Sequence, residues 1–167
     1  MDLAALLKNF AAAAEAGNGD ALADCFTQDG VYDDYFFGPS APGPAGIKAM
    51  LAHFFDGGKN FRWEFFDPVR SGSVGYASYR FSYGSTLAEA KGARVAFEGI
   101  SRFEFEGGRI SRYSEVFDRG MALAQLDFAP ERLKKVALRY ARAFKARPEV
   151  STHLQGRSVT GTSPEGD

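Results

Sequence analysis

VAFEGISRFEFEGGRISRYSEVF, residues 95–117, reads as two strands and the turn between them. Val95, Phe97, Ser101, Phe103 and Phe105 recur with a period of two and put one largely apolar face on the first strand. Glu106, Gly107, Gly108 and Arg109 supply a hairpin turn, since glycines accept the positive φ such turns need. Ile110 to Phe117 then returns as the second strand. The same period runs upstream, with Phe61, Trp63 and Phe65 alternating with Arg62 and Glu64 until Pro68, which ends that strand or marks a sheet edge. Val74 to Tyr83 makes another strand.

Before residue 58 the period is helical. Leu3, Leu6, Leu7, Phe10 and Ala14 share a helix face, with Asp2 placed to cap it and Gly17 to stop it. A short helix from about Asp20 buries Leu22 and Phe26 and ends in the turn 27–30. Val31 to Phe37 reads as an aromatic-rich strand carrying Asp33 and Asp34, and residues 38–44, GPSAPGP, as a loop. Pro44 opens a helix whose stripe is Ile47, Met50, Leu51, Phe54 and Phe55, closed by Gly57 and Gly58. Helices followed by strands in series give an α+β fold: helices on a curved antiparallel sheet, with an added C-terminal helix.

That last helix runs from Pro130 to Pro148 with a stripe of Leu133, Val136, Ala137, Tyr140, Ala141 and Phe144. Residues 130–167 carry eight basic and four acidic side chains, so residues 1–129 of this chain of net charge −1 carry −5. The stripe's small residues and the acidic body favour packing of the helix, 129–148, on its own domain or on a partner subunit. The Gly-, Ser- and Thr-rich stretch 149–167 reads as a disordered tail.

At 167 residues, 45% hydrophobic and 25% charged, the chain suits a single globular core over residues 1–128. Sixteen Phe among 14% aromatic residues suit a sheet curved around an apolar interior. A net charge of −1 argues against a chain-wide surface for nucleic acid. One cysteine, Cys25, forms no intrachain disulfide, no His, Cys and carboxylate set has metal-ligand spacing, and no glycine motif suits a nucleotide. With no signal-like start and no spanning apolar run, the expectation is a cytoplasmic protein that engages no membrane and uses neither metal nor cofactor.

Two segments are similar to a known family. Residues 15–26, EAGNGDALADCF, and 108–118, GRISRYSEVFD, followed by 121–126, MALAQL, resemble the nuclear transport factor 2-like superfamily in its SnoaL-like branch, across about Leu3 to Phe128. The resemblance implies a cone-shaped barrel, a pocket between sheet and helices, and dimers packed through the sheet. Its relatives include ketosteroid isomerase, limonene-epoxide hydrolase and polyketide cyclases, and fold alone does not choose among them.

The resemblance also marks candidates. Asp33 stands where isomerase-like members keep a carboxylate base, and partial desolvation on an apolar strand would suit that task. Phe10 occupies the place of that enzyme's oxyanion-hole tyrosine, and Gly99 or Ser101 stands near its second acid, which argues against steroid-type isomerisation. Glu115 matches a catalytic acid of hydrolase-like members and shares a strand face with Tyr113 and Phe117. Arg80 matches the arginine that fixes this acid, while the second carboxylate falls at Ser82. The structural alternative makes Arg80 and Glu115 an ion pair within the sheet. Phe10, Tyr35, His53, Trp63, Phe97, Tyr113 and Phe117 are the expected lining, with His53 at the mouth. Asp118 reads as the cap of a helix from Arg119.

Two classes of function follow: an acid–base enzyme on an apolar substrate (epoxide hydrolase, cyclase or isomerase), or a non-catalytic binding or dimerisation domain. Aromatics on both strand faces, Phe66 opposite Trp63 and Tyr76 opposite Tyr79, point to a homodimer.

Overall fold

In a computed structural model, which describes residues 2–156, Gly107 and Gly108 take φ of 55° and 81° and set Glu106 against Arg109. This two-residue turn joins β5 (Arg94–Glu106) to β6 (Arg109–Phe117). Between the pairs Glu104–Arg112 and Phe105–Ile110 the register slips by one residue. Ser111 is the extra residue, and this bulge lets Ile110 and Tyr113 both face inward although an odd number of peptide steps separates them. Glu115 follows Tyr113 on the inner face.

β4 (Val74–Ser85) pairs antiparallel with β5, and β3 (Gly58–Ser71) pairs antiparallel with β4. β3 is an edge strand that continues through Pro68, where its register with β4 shifts between Phe66 and Val69. β1 (Phe26–Asp34) lies on the far side of β6, and β2 (Gly38–Pro39) beyond it, so the sheet is unclosed and runs β2-β1-β6-β5-β4-β3.

This corrects three sequence expectations. β1 pairs with β6 in parallel, so the sheet is mixed although mostly antiparallel. The pairing joins segments some eighty positions apart, beyond what a local period can report. The strand also ends at Asp34 and not at Phe37. The Asp34 carboxylate accepts from Phe36 N at 2.7 Å and from Phe37 N at 2.8 Å, and this side-chain turn folds the chain back. Gly38–Pro39 therefore pairs with Asp33 and Asp34 inside a stretch that reads as loop.

Three helices close the inner face: α1 (Leu3–Glu15), α2 (Gly19–Ala23) and α3 (Gly43–Gly57). Asp2 caps α1 and Asn18 caps α2, each through its side chain. α1 is tied to β3 where Glu15 Oε1 accepts from Trp63 N at 2.6 Å. Phe10 of α1 is fully buried, with its ring 5.1–5.9 Å from those of Trp63, Phe65, Tyr32 and Tyr113. Most of these contacts are tilted or edge-on, the arrangement aromatic quadrupoles favour. α4 (Arg119–Ala124) follows β6, and Asp118 caps it by accepting from Met121 N at 2.9 Å, as its position suggests.

The chain divides into two units, Met1–Phe128 and Ala129–Asp167. The second contains α5 (Pro130–Lys145) and α6 (Pro148–Leu154). The sequence reads 149–167 as a disordered tail, but Pro148 at the first helical position starts a helix through Leu154; residues 157–167 lie outside those described. Along α5 the stripe residues Leu133, Val136 and Tyr140 are half-buried and Phe144 is exposed. Among the described residues no helix is long and apolar enough to cross a membrane.

Gly99 illustrates how tightly the sheet is built. A Cβ there would lie 2.5 Å from the Tyr79 hydroxyl and 2.6 Å from the Val116 carbonyl oxygen, whereas one on Gly84 would meet only ordinary contacts at 3.6 Å and beyond. Gly99→Ala should destabilise the domain by about 1–3 kcal/mol in urea titrations and Gly84→Ala by well under half that. Equal midpoints for the two variants would contradict this packing.

Candidate active site

Period-two alternation sends Tyr32 and Asp34 of β1, Tyr113 and Glu115 of β6, Ser101 of β5, and Ala77, Tyr79 and Phe81 of β4 to one interior, and all are buried. Register sets them side by side, with Tyr32 opposite Tyr113 and Ser101 opposite both Glu115 and Ala77. Tyr113 Oη donates to Glu115 Oε2 at 2.9 Å and lies 3.0 Å from Ser101 Oγ. Because Tyr113 spends its only proton on Glu115, Ser101 donates to Tyr113.

The carboxyl of Glu115 sits among rings, and burial pushes its pKa up to about 8, with the Asp34 charge adding to the rise and the hydroxyls of Tyr79 and Tyr113 opposing it. Asp34 is raised to about 6, again by burial, against the two backbone N–H groups of Phe37 and Phe36; the charge of Asp33 adds to the rise and that of Arg119 opposes it. Both backbone donors bind Oδ1. Near neutral pH the pair therefore holds one protonated and one mostly ionised carboxyl, the division of labour that acid–base chemistry needs.

Three more buried polar groups, Tyr32 Oη, Tyr79 Oη and Trp63 Nε1, find no hydrogen-bond partner among the described residues. The Tyr79 hydroxyl feels the Glu115 charge without reaching hydrogen-bonding geometry. A buried donor without a partner is costly, and two of these, the Tyr32 and Tyr79 hydroxyls, lie near enough to Glu115 to feel its charge.

The predicted residues divide sharply. Glu115 and Tyr113 lie at the centre, with Phe10, Trp63 and Phe97 buried around them. Tyr35 and Phe117 are half-buried at one end, rings 5.3 Å apart, and Phe117 stacks on Phe97 at 4.2 Å. The Arg119 guanidinium lies 3.8 Å from the Tyr35 ring centroid and donates to its carbonyl oxygen at 2.8 Å.

Asp33, Arg80 and His53 do not join them. Asp33 alternates to the outer face and pairs with Arg112. Arg80 likewise points outward between the inward Tyr79 and Phe81, 2.8 Å from Glu98 and 3.9 Å from Glu64. It holds neither Glu115 nor any interior group. His53 is exposed on α3, 3.2 Å from Asp56, and touches only the rim through Phe37, ring to ring at 5.7 Å.

Asp34, Tyr32, Tyr79 and Ser101 join the interior without being among the residues the sequence marks. Parity alone shows that Arg80 cannot share the face of Phe81, whereas the inward turn of Asp34 follows from the pairing of β1 with β6. Among the described residues no group of three or more His, Cys, Asp or Glu side chains is placed to hold a metal ion.

Comparison with known families decides the kinship. The model for the SnoaL-like domain matches residues 7–113. The chain belongs to the SnoaL-like family. Solved structures similar to this SnoaL-like domain include a hypothetical protein with a ketosteroid isomerase-like fold from Catenulispora acidiphila DSM 44928, in complex with trimethylamine. That protein is 22% identical with a TM-score of 0.63, over 75% of this chain and 97% of that one. TsrD from Streptomyces laurentii is 21% identical with a TM-score of 0.64, over 75% and 97%. An LEH-like epoxide hydrolase from M. tuberculosis is 18% identical with a TM-score of 0.58, over 73% and 86%. At such identities these likenesses show the fold alone. A comparison with proteins of curated function gives no match.

The raised carboxyls make the stability of the SnoaL-like domain pH-dependent. Below the ordinary carboxylate range both folded and unfolded Glu115 are protonated. Above it the unfolded chain releases a proton that the folded state keeps until about pH 8, so the unfolded state binds fewer protons and stability falls as pH rises through that window. Asp34 contributes the same sign up to about pH 6. Glu115→Gln removes the larger part. Urea titrations from about pH 5 to about pH 9 should show wild-type stability falling by a few kcal/mol and the variant changing much less. Parallel profiles would mean that Glu115 ionises freely in the folded protein.

Proposed function

We propose that this SnoaL-like domain is an acid–base enzyme that binds a small, largely apolar molecule beside Glu115 and acts on it without a cofactor. The observation that carries this reading is the pair of buried carboxyls, Glu115 and Asp34, facing one interior from neighbouring strands with pKa values raised to different heights. Glu115, protonated, donates to a substrate oxygen, and Tyr79 and Tyr32 offer that oxygen further hydrogen bonds. Asp34, ionised, takes a proton from substrate carbon or from water. Proton removal from carbon gives an isomerase or cyclase, and removal from water opens an epoxide; the same two groups serve each. Phe97, Trp63 and Phe117 supply the apolar walls.

The expected outcomes separate enzyme from binding module. Native mass spectrometry identifies any retained ligand, and turnover is followed with that ligand and with a panel of apolar epoxides and cyclic ketones. Glu115→Gln and Asp34→Asn should each lower kcat by about 10²–10⁴-fold, while Asp33→Asn and Arg80→Ala stay within a few-fold of wild type. Asparagine keeps the Oδ1 that turns the chain at Asp34, so its fold persists. A wild-type protein that binds members of the panel but turns none over would make this a binding domain.

The outer sheet face supports a homodimer. Ile100 and Val116 are directly paired across β5 and β6 and are 50% and 54% exposed, and Tyr76 on β4 is 43% exposed. Light scattering at micromolar concentration should give twice the chain mass, and Ile100→Asp with Val116→Asp should give the monomer. A monomeric wild type would refute the dimer.

A further inference from the structure

β6 ends at Phe117, and the residues just after it reach the turn that holds Asp34. Asp118 caps α4, so Arg119 becomes the first residue of that helix. Gln125, at the other end of α4, is fastened to β5: its Oε1 accepts from Ala96 N at 3.0 Å and its Nε2 donates to Ala96 O at 2.9 Å. The helix is thus fixed at both ends, and Arg119 with it.

Arg119 grips Tyr35 twice. An N–H of its guanidinium donates to the Tyr35 carbonyl oxygen at 2.8 Å, and its flat side lies 3.8 Å from the centre of the Tyr35 ring. A planar guanidinium can donate and stack in this way, whereas an ammonium is a point charge with neither the fork nor the plane. The Tyr35 carbonyl belongs to the same peptide group as Phe36 N, which donates to Asp34 Oδ1 at 2.7 Å. One amide therefore joins the cation to the carboxyl. A donor on its oxygen polarises the amide and makes its N–H the stronger donor to Asp34.

We propose that Arg119 is a positioning residue that acts on Asp34 through the Tyr35–Phe36 peptide, keeping the carboxylate ionised and its turn in place. This rests on the reading of Asp34 as the base. The other charges around Asp34 oppose its ionisation or are matched elsewhere. Asp33 adjoins it and Glu115 faces the same interior from β6, and Arg112 of β6 is paired with Asp33 on the outer face. On α3, which packs on β1, Lys48 pairs with Asp20 of α2 and His53 with Asp56. β2 brings no titratable side chain, and the hydroxyls of Tyr32 and Tyr79 feel the Asp34 charge. Arg119 supplies positive charge that favours the ionised form.

The test titrates Asp34 in the full chain by carbon-13 NMR of its side-chain carboxyl, assigned through Asp34→Asn. Arg119→Gln removes the charge but keeps an amide N–H, and the Asp34 midpoint should rise by about 0.5 or more. Arg119→Met removes both and should raise it further, while Arg119→Lys keeps the charge and should stay nearer the wild type. On a substrate from the panel, the acid limb of kcat/KM should move to higher pH in the same order, with KM within a few-fold of wild type. An arginine that merely braces the fold would lower the melting temperature of all three variants and leave the Asp34 midpoint where it is. A midpoint unmoved in both neutral variants overturns the proposal. If the wild type turns nothing over, the acid–base reading fails, and the Asp34 titration alone decides whether Arg119 governs that carboxyl.

Discussion

Glu115 sits where water does not, and much of the interior is arranged by the cost of putting a carboxyl there. A carboxylate in an aromatic core must find donors or keep its proton, and Glu115 does some of both. Tyr113 donates to it, and Ser101 in turn serves Tyr113. Tyr79 reaches the same place across Gly99, where any side chain would collide with its hydroxyl. The bulge at Ser111 puts Tyr113 and Glu115 on the inner face while keeping Ile110 in the core. These features belong to five residues on three strands, yet each makes sense only against the acid they surround.

The second carboxyl has a different job and a different setting. Asp34 is equally buried, but two backbone N–H groups meet it, and the charge of Arg119 lies near enough to pull its pKa down. It therefore rises less than Glu115, which has neither aid in the same measure. The same two N–H bonds end β1 and fold the chain into β2. One side chain thus sets a strand boundary and furnishes the candidate base, and Asp34→Asn can test the chemistry because it spares the turn.

The helices, the hairpin and the inner faces of β3 to β6 were legible because each rests on a local period or a local cap. Phe103, Phe105 and Tyr113 announce their face within a few residues, and Asp118 announces a helix. The interior pair was half legible. Glu115 lies between Tyr113 and Phe117, so its face was plain, whereas Asp33 and Asp34 sit side by side and only the parallel pairing with β6 decides which turns in. Arg80 differs again: its family position suggests the interior, but the alternation of the buried Tyr79 and Phe81 around it turns it outward. The unmatched hydroxyls of Tyr32 and Tyr79 could not be read at all, because tyrosines in a core pattern say nothing of whether their oxygens find partners.

Alternation also sorts the charges of the whole first unit. On the outer face Arg80, Arg102 and Arg112 are each matched by a carboxylate on the same strand or its neighbour, so that face is nearly neutral and its apolar residues are left for another sheet. Exposed pairs of this kind add little stability, but they remove the like-charge repulsion that would oppose face-to-face packing. On the inner face the charged side chains are two carboxyls without a cation directly paired to them, which is unfavourable for folding and useful for proton transfer. The surplus of positive charge lies beyond residue 129, chiefly on α5. Alternation in the first unit thus pairs the charges of one sheet face and gathers the acids on the other.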